Sequence, residues 1–145
     1  MSKLNGRRNR PPHGPGDLSK ACLACYSVFM TCLFVLNDHP YQSERNYNAL
    51  RLATSLAADG DNTVRVFLVG DAVHSAVKGE AVPEGRDDIP WMLARFSAGH
   101  RAVAVCRTCL DRRGIPEEAL ADCAYCSSLD ELARWTAEAD KVLVF

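Results

Sequence analysis

Net charge is nearly absent from this 145-residue chain. The formal total is −1 at pH 7, so no field over the whole molecule would recruit nucleic acid or an acidic membrane. Phosphate-cradling glycine patterns are missing. Neither G-x-G-x-x-G nor G-x-x-x-x-G-K-[ST] occurs, so nothing argues for a dinucleotide or P-loop site, and no cofactor is expected. There is no internal repeat. The apolar stretch Ala21–Leu36 has 16 residues, fewer than the ~20 of a membrane-spanning helix. It follows a basic start, as a secretory signal does, yet Asn37-Asp38-His39-Pro40 stands where a small-x-small cleavage site would follow. Arg7-Arg8 also has no hydrophobic run directly behind it, as a twin-arginine signal requires. A cytoplasmic protein with no membrane and no nucleic-acid partner is expected.

What is present is an ordinary globular composition, 48% apolar and 24% charged, enough to bury one core. Charge is uneven. Residues 1–20 carry five basic side chains against Asp17, while the rest holds 12 basic and 17 acidic groups. The start is rich in Arg, Asn, Pro and Gly without apolar periodicity, so residues 1–28 read as a disordered basic tail and 29–145 as one domain. A competing expectation is that translation starts at Met30, at the head of the first strand, and that the residues before it are a mis-called extension.

From Phe29 the pattern is regular. Phe29–Leu36 is a continuous apolar run, and Thr63–Val69 and Ala102–Cys106 are further apolar strands, as cover on both faces requires. Helical spacing fills Ser43–Ala58, a short piece at Ala72–Lys78 and a longer one from Asp88 and Pro90 to Gly99. Thr108–Arg113 and Pro116–Ala121 read as short helical turns, with a brief strand over Cys123–Cys126. Ser128 and Glu131 have capping-box spacing ahead of a helix to about Ala139, and Lys141–Phe145 is a last strand. Strands alternating with helices imply a parallel sheet with helices on both faces, an α/β fold.

In such sheets the ligand crevice lies beyond the carboxyl ends of the strands. Three ends stand out as candidate binding positions: Asn37-Asp38-His39, Gly70-Asp71, and Cys106-Arg107-Thr108-Cys109. A cysteine where a strand becomes a helical turn, with Arg107 beside it, is expected to have a lowered thiol pKa and to be reachable, because free amides and a positive charge favour the thiolate. A buried, inert Cys106 is the competing reading.

The segments LNDHPYQSERNYNALRLATSLAA, VRVFLVGDAVHSAVKGEAVPEG, VAVCRTCLDRRGI and LDELARWTAEADKVLVF resemble the DsrE/DsrF-like (YchN-like) family over about Phe29–Phe145. The C-x-x-C-L-D-x-R-G-I motif is the most specific piece. The resemblance implies a three-layer α/β/α fold around a five-stranded parallel sheet, assembled as a homotrimer or homohexamer. It also implies sulfur relay between a sulfur-donor and a sulfur-acceptor protein, with a persulfide on Cys106. Arg107 stands where the family usually has a small residue, and Cys22, Cys25, Cys123 and Cys126 lie outside the motif.

Seven cysteines, six of them in three C-x-x-C pairs, leave three explanations open. The first is persulfide relay on Cys106 with Cys109 as a resolving thiol, and the second is a thioredoxin-like dithiol. The third is a non-catalytic oligomeric binding or regulatory protein with zinc on Cys106, Cys109, Cys123 and Cys126. Against zinc, Cys123 precedes a strand while Cys109 follows one, so the two pairs should lie at opposite edges of the sheet. Cys32 is expected in the core. His39 and His74 fall on the functional rim, and His100 at the far end of the third strand. Asp38 and Asp71 suit capping, Trp91 and Trp135 suit packing or subunit contacts, and Arg112-Arg113 suits a solvated face or groove rim.

Overall fold

The computed structural model describes residues 29–58 and 60–145; the expected tail over 1–28, with Cys22 and Cys25, lies outside the described residues. Five strands form one all-parallel sheet: β1 (Thr31–Leu36), β2 (Thr63–Leu68), β3 (Val103–Cys106), β4 (Tyr125–Ser127) and β5 (Lys141–Val144). The spatial order is β4-β3-β2-β1-β5. The first helix, α1 (Arg45–Ala58), crosses from β1 to β2. After β2 come a 3-10 helix (Gly70–Ala76) and α2 (Ile89–Ser97); the one-turn helix α3 (Arg107–Asp111) follows β3, and α4 (Leu129–Glu138) precedes β5.

Side chains alternate along each strand and so build two cores. Cys32, Phe34 and Leu36 of β1 face α1 and α2 together with Val66, Leu68, Val103 and Val105, against Leu50, Ala53, Leu93 and Phe96. Leu33, Phe67, Ala104 and Cys106 face the other way, onto Trp135 of α4. Phe67 and Trp135 meet edge to face at 5.8 Å. The expected α/β/α sandwich is present, with one layer much thinner than the other.

Local chemistry explains the helix starts. The Asp88 carboxylate accepts the Trp91 N–H at 2.8 Å, and Pro90 stands in the first turn of α2, where its missing donor costs nothing. Ser128 caps α4 through the Glu131 N–H. The reciprocal half of the expected capping box is not made: the Glu131 carboxylate accepts instead from the hydroxyls of Ser127 and Tyr125. Trp135 is core, as packing required, whereas Trp91 lies exposed with Arg95 over its ring. All five strand limits differ from the sequence reading, β2, β3 and β5 by a single residue and β1 and β4 by more. Phe29 is exposed and β1 starts at Thr31; β4 runs Tyr125–Ser127, because ladder bonds to Ala104–Cys106 set its position. Among the described residues no helix is long and apolar enough to cross a membrane.

Candidate functional site

The carboxyl ends of β1, β2 and β3 converge on one rim. Gly70 sits at its centre with φ +55°, and a Cβ there would come within 3.0 Å of the Asn37 carbonyl oxygen. Glycine allows the chain to turn so tightly that the Asn37 carbonyl accepts from the N–H groups of Asp71 and Ala72, at 3.1 and 3.2 Å. Asn37 also donates from its side chain to the Phe145 carbonyl at 3.3 Å. Asn37 is thereby committed to holding β1, β5 and the turn after β2 together.

The same turn presents the Gly70 N–H to the Cys109 sulfur, 3.2 Å away. Cys109 is half-buried and packs against both cores at their meeting point. Cys106 lies behind it, with its thiol interacting with the Cys109 N–H and thiol and with the Thr108 N–H. The structure thus brings the two candidate thiols together.

The expected activation of Cys106 is not found. Only 1% of its surface is exposed, and burial pushes its thiol pKa up, more than the nearby amides pull it down. Apolar packing against Phe67 and Trp135 outweighs the turn's amides. Arg107 does not supply the expected positive neighbour either: its exposed guanidinium pairs with Glu117 at 3.1 Å and acts on Cys126. The cation at this rim is Arg113. It donates to the Cys109 carbonyl at 2.9 Å and to the Asp71 carboxylate at 2.6 and 2.9 Å, holding the Asp71 carboxyl below its ordinary pKa. Of the two readings of Arg112-Arg113, a solvated face or a groove rim, Arg113 takes the rim.

Asp38 orders the turn after β1 without its carboxylate capping a backbone amide. Its carboxylate accepts from Ser43 at 3.0 Å, and its carbonyl accepts from the buried Asn46 side chain at 2.8 Å. His39 and His74 lie side by side, ring centroids 5.1 Å apart, with Glu80 between them. Glu80 falls between the helical pieces at Ala72–Lys78 and from Asp88, where the sequence has no periodicity and gives no hint of such a meeting. His100 stands at the amino end of β3, away from the rim, and Cys32 is buried in the core.

A zinc site on the four cysteines is overturned by the sheet's pleat. Cys126 is paired with Val105, and both pack on the α1–α2 side, while Cys106 points to the α4 side. Cys123 groups with His100 and Val103, at the amino end of β3. Among the described residues, the group of three metal-ligating side chains that does converge is His39, His74 and Glu80.

The profile of the DsrE/DsrF-like family matches residues 30–145. Protein YchN of Escherichia coli (strain K12) is 42% identical over 114 residues, spanning 78% of this chain and 97% of that protein. The crystal structure of ychN protein from E. coli superposes with a TM-score of 0.75 at 40% identity, covering 81% of this chain and all of that one. A protein of unknown function from Methanobacterium thermoautotrophicum, MTH1491, shares the fold with a TM-score of 0.64 at 12% identity, over 81% of this chain and 99% of its own.

Proposed function

We propose, from the premise that this chain belongs to the DsrE/DsrF-like family, that it is a sulfur carrier whose Cys106–Cys109 pair accepts sulfane sulfur as a persulfide. A donor protein supplies the sulfur and an acceptor protein removes it. The observation that carries this reading is the pairing of two thiols at one strand end, the outer held by a backbone N–H and the inner sealed.

Family resemblance by itself puts the persulfide on Cys106. Burial favours the other order, with Cys109 meeting the donor. The Cys109 thiolate attacks the outer sulfur of a donor persulfide. A new S–S bond forms on Cys109, the donor's S–S bond breaks, and the donor departs as a thiolate. An acceptor thiolate reverses the exchange. Cys106 keeps its proton because burial raises its pKa, and a protonated thiol is a poor nucleophile. The persulfide therefore lasts long enough to be handed on.

The contact between the thiols also favours a second reading, a redox switch. Cys106 attacks the inner sulfur of the Cys109 persulfide, a Cys106–Cys109 disulfide forms, and sulfide leaves with the Cys106 proton. Mass spectrometry after incubation with a persulfide donor separates the two. A carrier gains one sulfur in the wild type and in Cys106→Ser, and none in Cys109→Ser. A wild type that loses two hydrogens and releases sulfide is the switch. An undiminished gain in Cys109→Ser rejects the assigned order, and no change in the wild type rejects both readings.

Assembly as a homotrimer or homohexamer in the cytoplasm belongs to the same proposal. Exposed Leu129, Val142 and Val144 supply apolar surface for subunit contacts, and light scattering on the full chain measures the mass.

A further inference from the structure

We propose that His39, His74 and Glu80 form a site for a zinc-class divalent ion, built without the cysteines. The three residues come from separate places: His39 from the turn after β1, His74 from the 3-10 helix after β2, and Glu80 from the loop beyond it. Folding nevertheless brings one donor atom of each within 4.8 Å of the others. Glu80 stands between the rings, Oε1 3.7 Å from His39 Nε2 and Oε2 3.5 Å from His74 Nδ1.

Those spacings leave room for an ion. They are longer than an N–H···O bond of ~2.7–3.2 Å, so the groups converge at ion-pair distance without a hydrogen bond between them. Ligand atoms held ~2.0–2.2 Å from one tetrahedral zinc stand ~3.3–3.6 Å apart. The donor atoms here lie within 4.8 Å of one another, and the two short contacts use different Glu80 oxygens, so loading draws the ligands together. Two imidazoles and a carboxylate suit zinc and its borderline-soft neighbours, and provide too few oxygens for calcium or magnesium. All three side chains are half-buried, sheltered yet reachable.

Loading has one local cost. The Tyr41 N–H donates to His39 Nδ1 at 3.3 Å, which leaves the ring proton on Nε2. Binding through Nε2 moves that proton to Nδ1 and gives up this long hydrogen bond. Both histidines act electrostatically on Asp71, so the ion would share the rim with the Asp71–Arg113 pair. Three protein ligands leave a fourth position for water or a soft anion such as sulfide.

Cobalt(II) titration of the full chain, followed by absorption, tests the site independently of sulfur transfer. One ion per chain is expected, with the visible bands of nitrogen and oxygen ligation and no thiolate-to-metal charge transfer. Uptake should persist in Cys109→Ser. Losing an outer-shell partner typically costs ~10–100-fold in affinity, so losing a ligand in His74→Ala or Glu80→Gln should cost at least as much. Proton NMR of the wild type needs no substitution: the His39 and His74 ring signals should be perturbed by the cobalt ion. Unchanged uptake in both variants, thiolate bands alone, unperturbed rings or no uptake would each overturn the proposal.

Discussion

Gly70 and Cys109 are joined across two strand ends, the backbone N–H of one 3.2 Å from the sulfur of the other. This bond ties the turn after β2 to the helix after β3. It depends on a backbone conformation that side chains resist, φ +55°, with the Asn37 carbonyl 3.0 Å from where a Cβ would lie. Gly70→Ala should therefore cost about 1–2 kcal/mol from the left-handed conformation, with the push on Asn37 adding to it. Urea denaturation measures the loss, and an unchanged midpoint would show that the turn relaxes freely.

The thiols should differ in reactivity. Cys109 is half-buried, whereas Cys106 and Cys32 are each 1% exposed with pKa values raised by burial. Peptide mapping after brief alkylation at neutral pH should find Cys109 modified first. Modification of Cys106 at the same rate or faster would mean that its burial is lifted in solution.

Alkaline pH should weaken the fold. Cys32, Cys106 and Cys123 all have pKa values raised from 9.0, chiefly by burial. Groups raised by folding give stability that is complete below the unfolded pKa and lost as pH rises through the folded one. Denaturation midpoints should thus fall progressively above pH 9.0, more steeply in the wild type than in Cys106→Ser. Equal slopes would count against a protonated Cys106.

Acid acts through the opposite sign. Arg113 lowers the Asp71 pKa from 3.8, so the pair's contribution is present above 3.8 and lost as pH falls through the lowered folded value. A double-mutant cycle of Asp71→Asn with Arg113→Ala should give a coupling at neutral pH that vanishes in strong acid and shrinks with salt. A coupling independent of pH would rule out the ion pair as its source.

Much of the architecture was legible because period and punctuation agree. The apolar runs of β1, β2 and β3 demand cover on both faces, and Gly70 marks the turn at the end of β2. The meeting of Cys106 with Cys109 followed from their spacing at a strand-to-helix junction. The burial of Cys106 did not. When both faces of a strand are covered, an apolar run does not reveal how deep each face lies or how large the side chain opposite it is, here Trp135. The limits of β4 were obscure for a related reason: three residues held by one neighbour are positioned by that neighbour's ladder more than by their own propensity. Glu80 came into view only because distant loops fold together.

Cys106 and Cys126 point to opposite sides of adjacent strands. An oxidant cannot staple these two sulfurs without one strand turning over. Any thiol exchange between Cys126 and Cys106 must therefore pass through a third sulfur such as Cys109, which packs against both cores.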